Sequence, residues 1–300
     1  MMARAPRLLR RGSAALLGLG AAFVFVCSAV AALFASRPRL MRLLGWAPGA
    51  ARDPSDVGLE FEDVEYLPGV KGWFVSVADP VAAAVVVHGL ETSSDPRATD
   101  QGPRLELAAA LCARGYSVLV INLGYANGRR PYSAGRFESD DVCAASSWIA
   151  ERVARSVAII GMSAGGHAAV AAGRQAPDVF AVVTDSAFVD GGAVVIEQAS
   201  TLTPVPKLAF VLVPAIMRLL NKTSPVDLAA TKSSSPAMFH IHGSSDTAVG
   251  VDNVRRLAAA TGGETWVVAD AEHVRAYTTD PAGYVMRVTT FLDRALATRR

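Results

Sequence analysis

The sequence predicts an α/β fold, a mostly parallel β-sheet with helices on both faces. Three observations predict it. Short, wholly apolar runs such as "AAAVVV" and "SVAII" have the composition of strands buried on both faces. Runs of helical period such as "ESDDVCAASSWIAERV" alternate with them, the rhythm of strand–helix–strand units. Apolar residues make up 51% of 300, ample for the core of one large domain.

The same numbers exclude several roles. A net charge of +2, with no basic stripe along the body of the chain, argues against nucleic acid as a partner. Three cysteines make no disulfide framework. Cys27 lies in the apolar N-terminal run, and Cys112 and Cys143 read as small helix-packing residues, with a disulfide between them as the alternative. No CxxC motif or His/Cys cluster has metal-ligand spacing, so neither a metal nor an organic cofactor is expected.

The elements follow in order. From Gly12 to Ser36 there is no charged residue, and "AALLGLGAAFVFVCSAVAALF" is apolar on every face. At about 1.5 Å per residue such a run spans a hydrocarbon core of roughly 30 Å, so residues 1–36 read as a membrane anchor or uncleaved signal. The Ala-rich "AALFAS" leaves a cleaved secretory signal as the alternative. Arg4, Arg7, Arg10 and Arg11 precede the run, and Arg37, Arg39 and Arg42 follow it. That balance leans toward a single-pass N-terminal anchor with the rest of the chain on the extracytoplasmic side. Residues 37–58, with "RLLGWAPGAARDPSD", read as a Gly/Pro-bearing linker, and residues 59–300 as the folded domain.

In that domain "LEFEDVEYL" and "KGWFVSV" read as strands joined at Pro68-Gly69, and "AAAVVVHG" as a buried strand. "RLELAAALCARG" is a helix closed by Gly115, "YSVLVINLG" a strand and "ESDDVCAASSWIAERV" a helix. "SVAIIG", "FAVVTDSAF", "AMFHIHG" and "ETWVVADA" are further strands, and "VDNVRRLAAATG" and "GYVMRVTTFLDRALA" further helices. The rhythm breaks at about 190–235, where prolines interrupt a strongly apolar stretch. An insertion of this size reads as a helical cap, or as a further pair of packing helices.

The chemistry centres on "VAIIGMSAGGHAAVAAG". A strand that runs into Gly161-Met162-Ser163-Ala164-Gly165 and continues as a helix is a nucleophile elbow, in which small neighbours permit the strained turn that exposes the Ser163 hydroxyl. Such a serine needs a base and an orienting acid, and on this kind of sheet they follow it in the order acid, histidine. "MFHIHGSSDTAV" delivers Asp246 and "TWVVADAEHVRAY" delivers His273, each just beyond a strand end on the edge that carries Ser163. Asp185, also after a strand, is the rival acid. His240 and His242 lie inside a strand and read as core or supporting residues, His167 as packing and His88 as structural. A tetrahedral intermediate needs two N–H donors. The Ala164 N–H is expected to be one, with Met162 the alternative, and the Leu90 N–H in the "HGLETSSD" loop the other.

From about Leu59 to Leu296 the chain resembles the α/β-hydrolases, close to the serine aminopeptidase and prolyl-oligopeptidase-like branch. The resemblance is carried by "VVVHG", "GRFESDDVCAASSWI", "GMSAGG", "SPVDLA", "HIHGSSDTAV" and "AEHVRAYTTDPAGYVMRVTTFL". It implies an α/β-hydrolase fold with an eight-stranded sheet, Ser163, Asp246 and His273 as the triad, and a cap ending near "SPVDLA". The "HGLETSSD" loop departs from the pattern, lacking the asparagine that many relatives carry shortly after His-Gly. The expected activity is that of a membrane-anchored serine hydrolase cleaving esters or thioesters through an acyl-enzyme. Apolar residues of the insertion, Leu208, Phe210, Val211, Leu212 and Met217, point to a small or lipophilic acyl substrate. Peptide-bond hydrolysis is the alternative, with Glu91, Asp95 or Asp185 holding a substrate ammonium; a non-catalytic binding protein on the same fold is the third reading.

Overall fold

The computed structural model describes residues 52–90, 103–126, 128–153, 155–201, 207–230 and 236–299. Its apolar runs form one sheet of strands β1 (Glu62–Leu67), β2 (Val70–Val75), β3 (Ala82–Val87), β4 (Tyr116–Ile121), β5 (Val157–Met162), β6 (Val179–Asp185), β7 (Ala237–Gly243) and β8 (Glu264–Val268). The spatial order is β1-β2-β4-β3-β5-β6-β7-β8. β2 is antiparallel to both of its neighbours, and every later pairing is parallel. β3, β4, β5 and β6 are buried along their whole length, as the unbroken apolar runs require. β1 opens at Glu62 rather than at Leu59.

The helices are α1 (Arg104–Cys112), α2 (Arg136–Val153), α3 (Ala164–Gly173), α4 (Gly191–Thr201), α5 (Val213–Asn221), α6 (Asp252–Thr261), α7 (Ala276–Thr279) and α8 (Pro281–Ala297). Because strand side chains alternate, successive residues feed two separate cores. Val85, Val87, Leu119, Ile159 and Val182 pack with Val142 and Ile149 of α2 and Ala168 of α3. Ala84, Val86, Val118, Ile160 and Val183 pack with Leu107 and Leu111 of α1 and with Val288 and Phe291 of α8. Each fully buried valine or leucine contributes roughly 1.5–3 kcal/mol. Cys143 packs against the first core and Cys112 against the second, so the sheet lies between two free thiols.

Within the predicted linker, Pro54–Val57 form a 3-10 turn, closed by reciprocal bonds of Asp53 and Asp56. The insertion between β6 and β7 holds α4, a 3-10 turn (Lys207–Phe210) and α5. Asp190 and Asp227 form an isolated antiparallel bridge, and the Gly191 N–H donates to the Val226 carbonyl at 2.8 Å. The two ends of the excursion are therefore pinned together at its base.

One part of the expected fold is corrected. The α/β-hydrolase sheet is as expected, but the N-terminal transmembrane helix expected with it is not borne out: among the described residues no helix is long and apolar enough to cross a membrane. Residues 1–36, the expected anchor, lie outside the described residues, as do Cys27, Glu91 and Asp95.

Candidate active site

Ser163 stands between β5 and α3 with φ 50° and ψ −117°, a conformation that L-residues rarely adopt. Its N–H donates to the Asp185 carbonyl at 2.7 Å, and its own carbonyl accepts the His167 N–H at 3.0 Å, the first turn of α3. Two glycines make the turn possible. A Cβ on Gly161 would press into the Gly165 carbonyl, and one on Gly165 into the His88 carbonyl.

Asp246 follows β7 and His273 follows β8, so the parallel sheet delivers both to the edge where β5 leaves Ser163. His273 Nε2 lies 3.0 Å from Ser163 Oγ, and His273 Nδ1 lies 2.8 Å from Asp246 Oδ2. Asp246 Oδ1 accepts the N–H groups of Ala248 and Val249 at 3.0 and 2.9 Å. His242 Nε2 approaches Oδ2 at 3.2 Å and also donates to the Val249 carbonyl at 2.9 Å. Burial would raise the Asp246 carboxyl, but the bonds from His242 and His273 outweigh it and hold the group well below the usual carboxylate range. Burial opposes protonation of His242; its contacts with Asp246 and the Val249 carbonyl prevail and raise its pKa.

The rival acid has a different position. Asp185 is fully buried, and its Oδ1 accepts the Ser186 hydroxyl at 3.1 Å. Ser186 Oγ in turn accepts the Val274 N–H at 3.0 Å, bracing the residue after His273, which itself has a positive φ of 56°. Burial pushes the Asp185 carboxyl up to about 6, with Ser186 and the neighbouring His273 and His242 acting against it.

The remaining histidines are structural. The Leu123 N–H donates to His88 Nε2 at 2.9 Å, so the ring proton is on Nδ1, which donates to the Gly89 carbonyl at 2.6 Å. The Tyr125 hydroxyl donates to the same carbonyl at 2.7 Å. Two donors thus fix the Gly89–Leu90 peptide, and in a trans peptide the Leu90 N–H points the opposite way. Ala164 opens α3, where first-turn N–H groups have no acceptor within the helix, whereas Met162 is the last residue of β5 and pairs with Asp185. His240 spans Thr184 and Thr261 at 2.9 Å each. His167 donates to the Phe188 carbonyl at 2.9 Å and stacks on its ring. Burial lowers His88 to about 3 and both His167 and His240 to about 4, so all three are neutral. Of the apolar residues of the insertion, Phe210 and Met217 are buried, whereas Leu208, Val211 and Leu212 are exposed.

His242, expected as a core or supporting residue, supports Asp246, a partner the sequence reading did not name. Sequence reasoning missed two supports, the Ser186 brace on Val274 and Tyr125 on Gly89, both of which depend on the register of chain-distant strands.

A strained serine at a strand–helix turn, with an imidazole hydrogen-bonded to its hydroxyl above a parallel sheet, defines the class: a serine hydrolase of the α/β-hydrolase fold. The model of the prolyl oligopeptidase family matches residues 105–298, well over half of the chain, and the chain belongs to that family. Among solved structures it resembles an esterase of Pyrococcus furiosus at 24% identity and a TM-score of 0.62, covering 83% of this chain and 98% of that one. An esterase domain of a Rhodothermus marinus protein is 19% identical with a TM-score of 0.53, covering 79% and 98%. A puromycin-hydrolyzing peptidase of Mycobacterium tuberculosis is 20% identical with a TM-score of 0.58, covering 79% of this chain and 39% of that one. At these identities the likeness speaks for the fold. No curated protein sequence is similar enough to this chain to count as a match.

Proposed function

We propose that this serine hydrolase cleaves ester or thioester bonds of lipophilic acyl substrates through an acyl-enzyme. The single observation that carries the reading is the unbroken hydrogen-bonded run Ser163 Oγ, His273, Asp246. Ser163 Oγ attacks the acyl carbon as His273 Nε2 takes its proton. The oxyanion is met by the N–H groups of Ala164 and Leu90. Collapse expels the alcohol or thiol, which leaves with the proton from Nε2, and water then repeats the sequence to free the acid. Asp246 holds Nδ1–H throughout and stabilises the imidazolium. The apolar insertion between β6 and β7 supports a lipophilic acyl group.

Family membership favours a second reading, peptide-bond hydrolysis. Asp185 is unsuited to hold a substrate ammonium, since it is fully buried and engaged by Ser186. Side-by-side rates on p-nitrophenyl esters and aminoacyl amides separate the two. A fluorophosphonate probe is expected to label the wild type and spare Ser163→Ala. Equal labelling of the two would remove Ser163 from the mechanism, and a wild type inert to the probe and to every ester would leave a binding protein.

A further inference from the structure

The insertion carries an apolar surface that the reaction at Ser163 does not use. Of the eight large hydrophobic residues exposed among the described residues, five are Leu208, Val211, Leu212, Leu219 and Leu220. Scattered exposed leucines are ordinary, but a contiguous cluster of this kind marks an interaction surface. α5 is apolar on both sides: Val213 and Met217 are buried, while Leu219 is 77% exposed and Leu220 56%. Leu212, Ala215 and Leu219 recur at helical three–four spacing and so share one face, and Leu208, 78% exposed, lies in the 3-10 turn that precedes the helix. Lys207, Arg218 and Lys222, all exposed, flank the cluster, and no acidic residue occurs between Gln198 and Val226.

We propose that the outer face of residues 207–222 docks on an anionic lipid surface. An exposed apolar face rimmed by cations is the signature of elements that lie in the bilayer interface, the apolar side chains entering the headgroup boundary and the cations meeting lipid phosphates. Charge selects this occupant. A second copy docked through the same face would place Lys207, Arg218 and Lys222 against their own equivalents. Residues 1–51 carry seven arginines and no acid, so they match the sign of the patch and would be repelled from it. The insertion leaves β6 and returns to β7, the strands whose carboxyl ends lead to Ser186 and Asp246, so docking would seat the site against the bilayer. That last step rests on the reading of a lipophilic acyl substrate; the docking itself does not.

The test uses the full chain with Leu219→Trp and vesicles whose acyl chains are brominated. The added tryptophan reports on this face whatever residues 1–51 do. Its emission, taken as the difference from the wild type, is expected to fall by about half or more with phosphatidylglycerol in the vesicles, and much less with phosphatidylcholine alone. No quenching of the added tryptophan while the chain co-floats with the vesicles overturns the proposal. So does equal quenching in both compositions, and so does a concentration-dependent dimer that Leu219→Asp/Leu220→Asp abolishes. In a second arm, the double variant is expected to hydrolyse a long-chain ester embedded in anionic vesicles at least about tenfold more slowly, with its rate on a short soluble ester unchanged. If the wild type cleaves no ester, the functional reading falls while the quenching still decides the docking.

Discussion

Asp246 shows how much of the proposed catalytic constellation lies behind the side chain that touches the proposed base, His273. Its Oδ1 takes two backbone N–H groups, and its Oδ2 is shared by His273 and His242. The backbone bonds fix the carboxylate plane, and His242 holds the oxygen that the His273 ring must meet. His242 is thus a positioning residue. A hydrogen bond to a charged group is worth about 1.5–3 kcal/mol, so His242→Leu is expected to lower kcat on a p-nitrophenyl ester roughly tenfold to a hundredfold with KM nearly unchanged. His242→Gln, which keeps an N–H donor, is expected to recover most of the loss. If Gln behaves like Leu, the residue only fills space. Replacing the acid itself, Asp246→Asn, is expected to cost about 10⁴-fold in kcat, because the amide favours the wrong imidazole tautomer.

At the scale of the element, the elbow is a packing problem before it is a chemical one. β5 must end and α3 begin within a few residues, and the chain just past β3 lies against the turn, where the His88 carbonyl would meet a Cβ on Gly165. Backbone atoms cannot swing aside as a flexible side chain can. Gly165→Ala is therefore expected to destabilise the domain by about 1–3 kcal/mol and to abolish probe labelling. Gly250→Ala, where a Cβ meets nothing within 4 Å, is the control and is expected to change stability by less than about 0.5 kcal/mol. Comparison of urea midpoints checks both. The legibility of the chain follows the same division. The elbow, the strands and the order serine, aspartate, histidine could be read because each is a local pattern: an apolar run, a glycine-flanked serine, a polar residue just past a strand end. The Ser186–Val274 brace and the Tyr125–Gly89 bond could not be, because they join segments whose proximity depends on sheet order. α5 was ambiguous for a different reason. With apolar residues on both faces, its periodicity does not say which face turns inward, and Leu219 and Leu220 proved to face out. The N-terminal run suggests a span by its apolarity and length, but among the described residues no helix is long and apolar enough to cross a membrane.

At the scale of the molecule, the site places two carboxyls, Asp246 and Asp185, around His242, with opposite effects on stability. The folded pKa of Asp246 is depressed. Its contribution is therefore present above the unfolded carboxyl value of about 3.9 and is lost as pH falls below it. Asp185 is raised to about 6, so its preference for the folded state is complete below about pH 3.9 and is lost as pH rises through 6. Above that pH the fold carries a buried negative charge that water would solvate better. Asp185→Asn keeps an oxygen to accept the Ser186 hydroxyl and removes the charge. The variant is expected to be more stable than the wild type at pH 8, by about 3 kcal/mol at most, with the difference shrinking to about 1 kcal/mol near pH 4.5. Urea unfolding at the two pH values measures it, and a variant no more stable than the wild type at pH 8 would overturn the assignment. The same charge faces His273 and His242, so in the proposed mechanism its removal withdraws electrostatic support from the imidazolium that forms as Ser163 attacks. Esterase kcat is accordingly expected to fall in the variant that gains stability. That opposition is what distinguishes a carboxylate kept for the reaction from one kept for the fold.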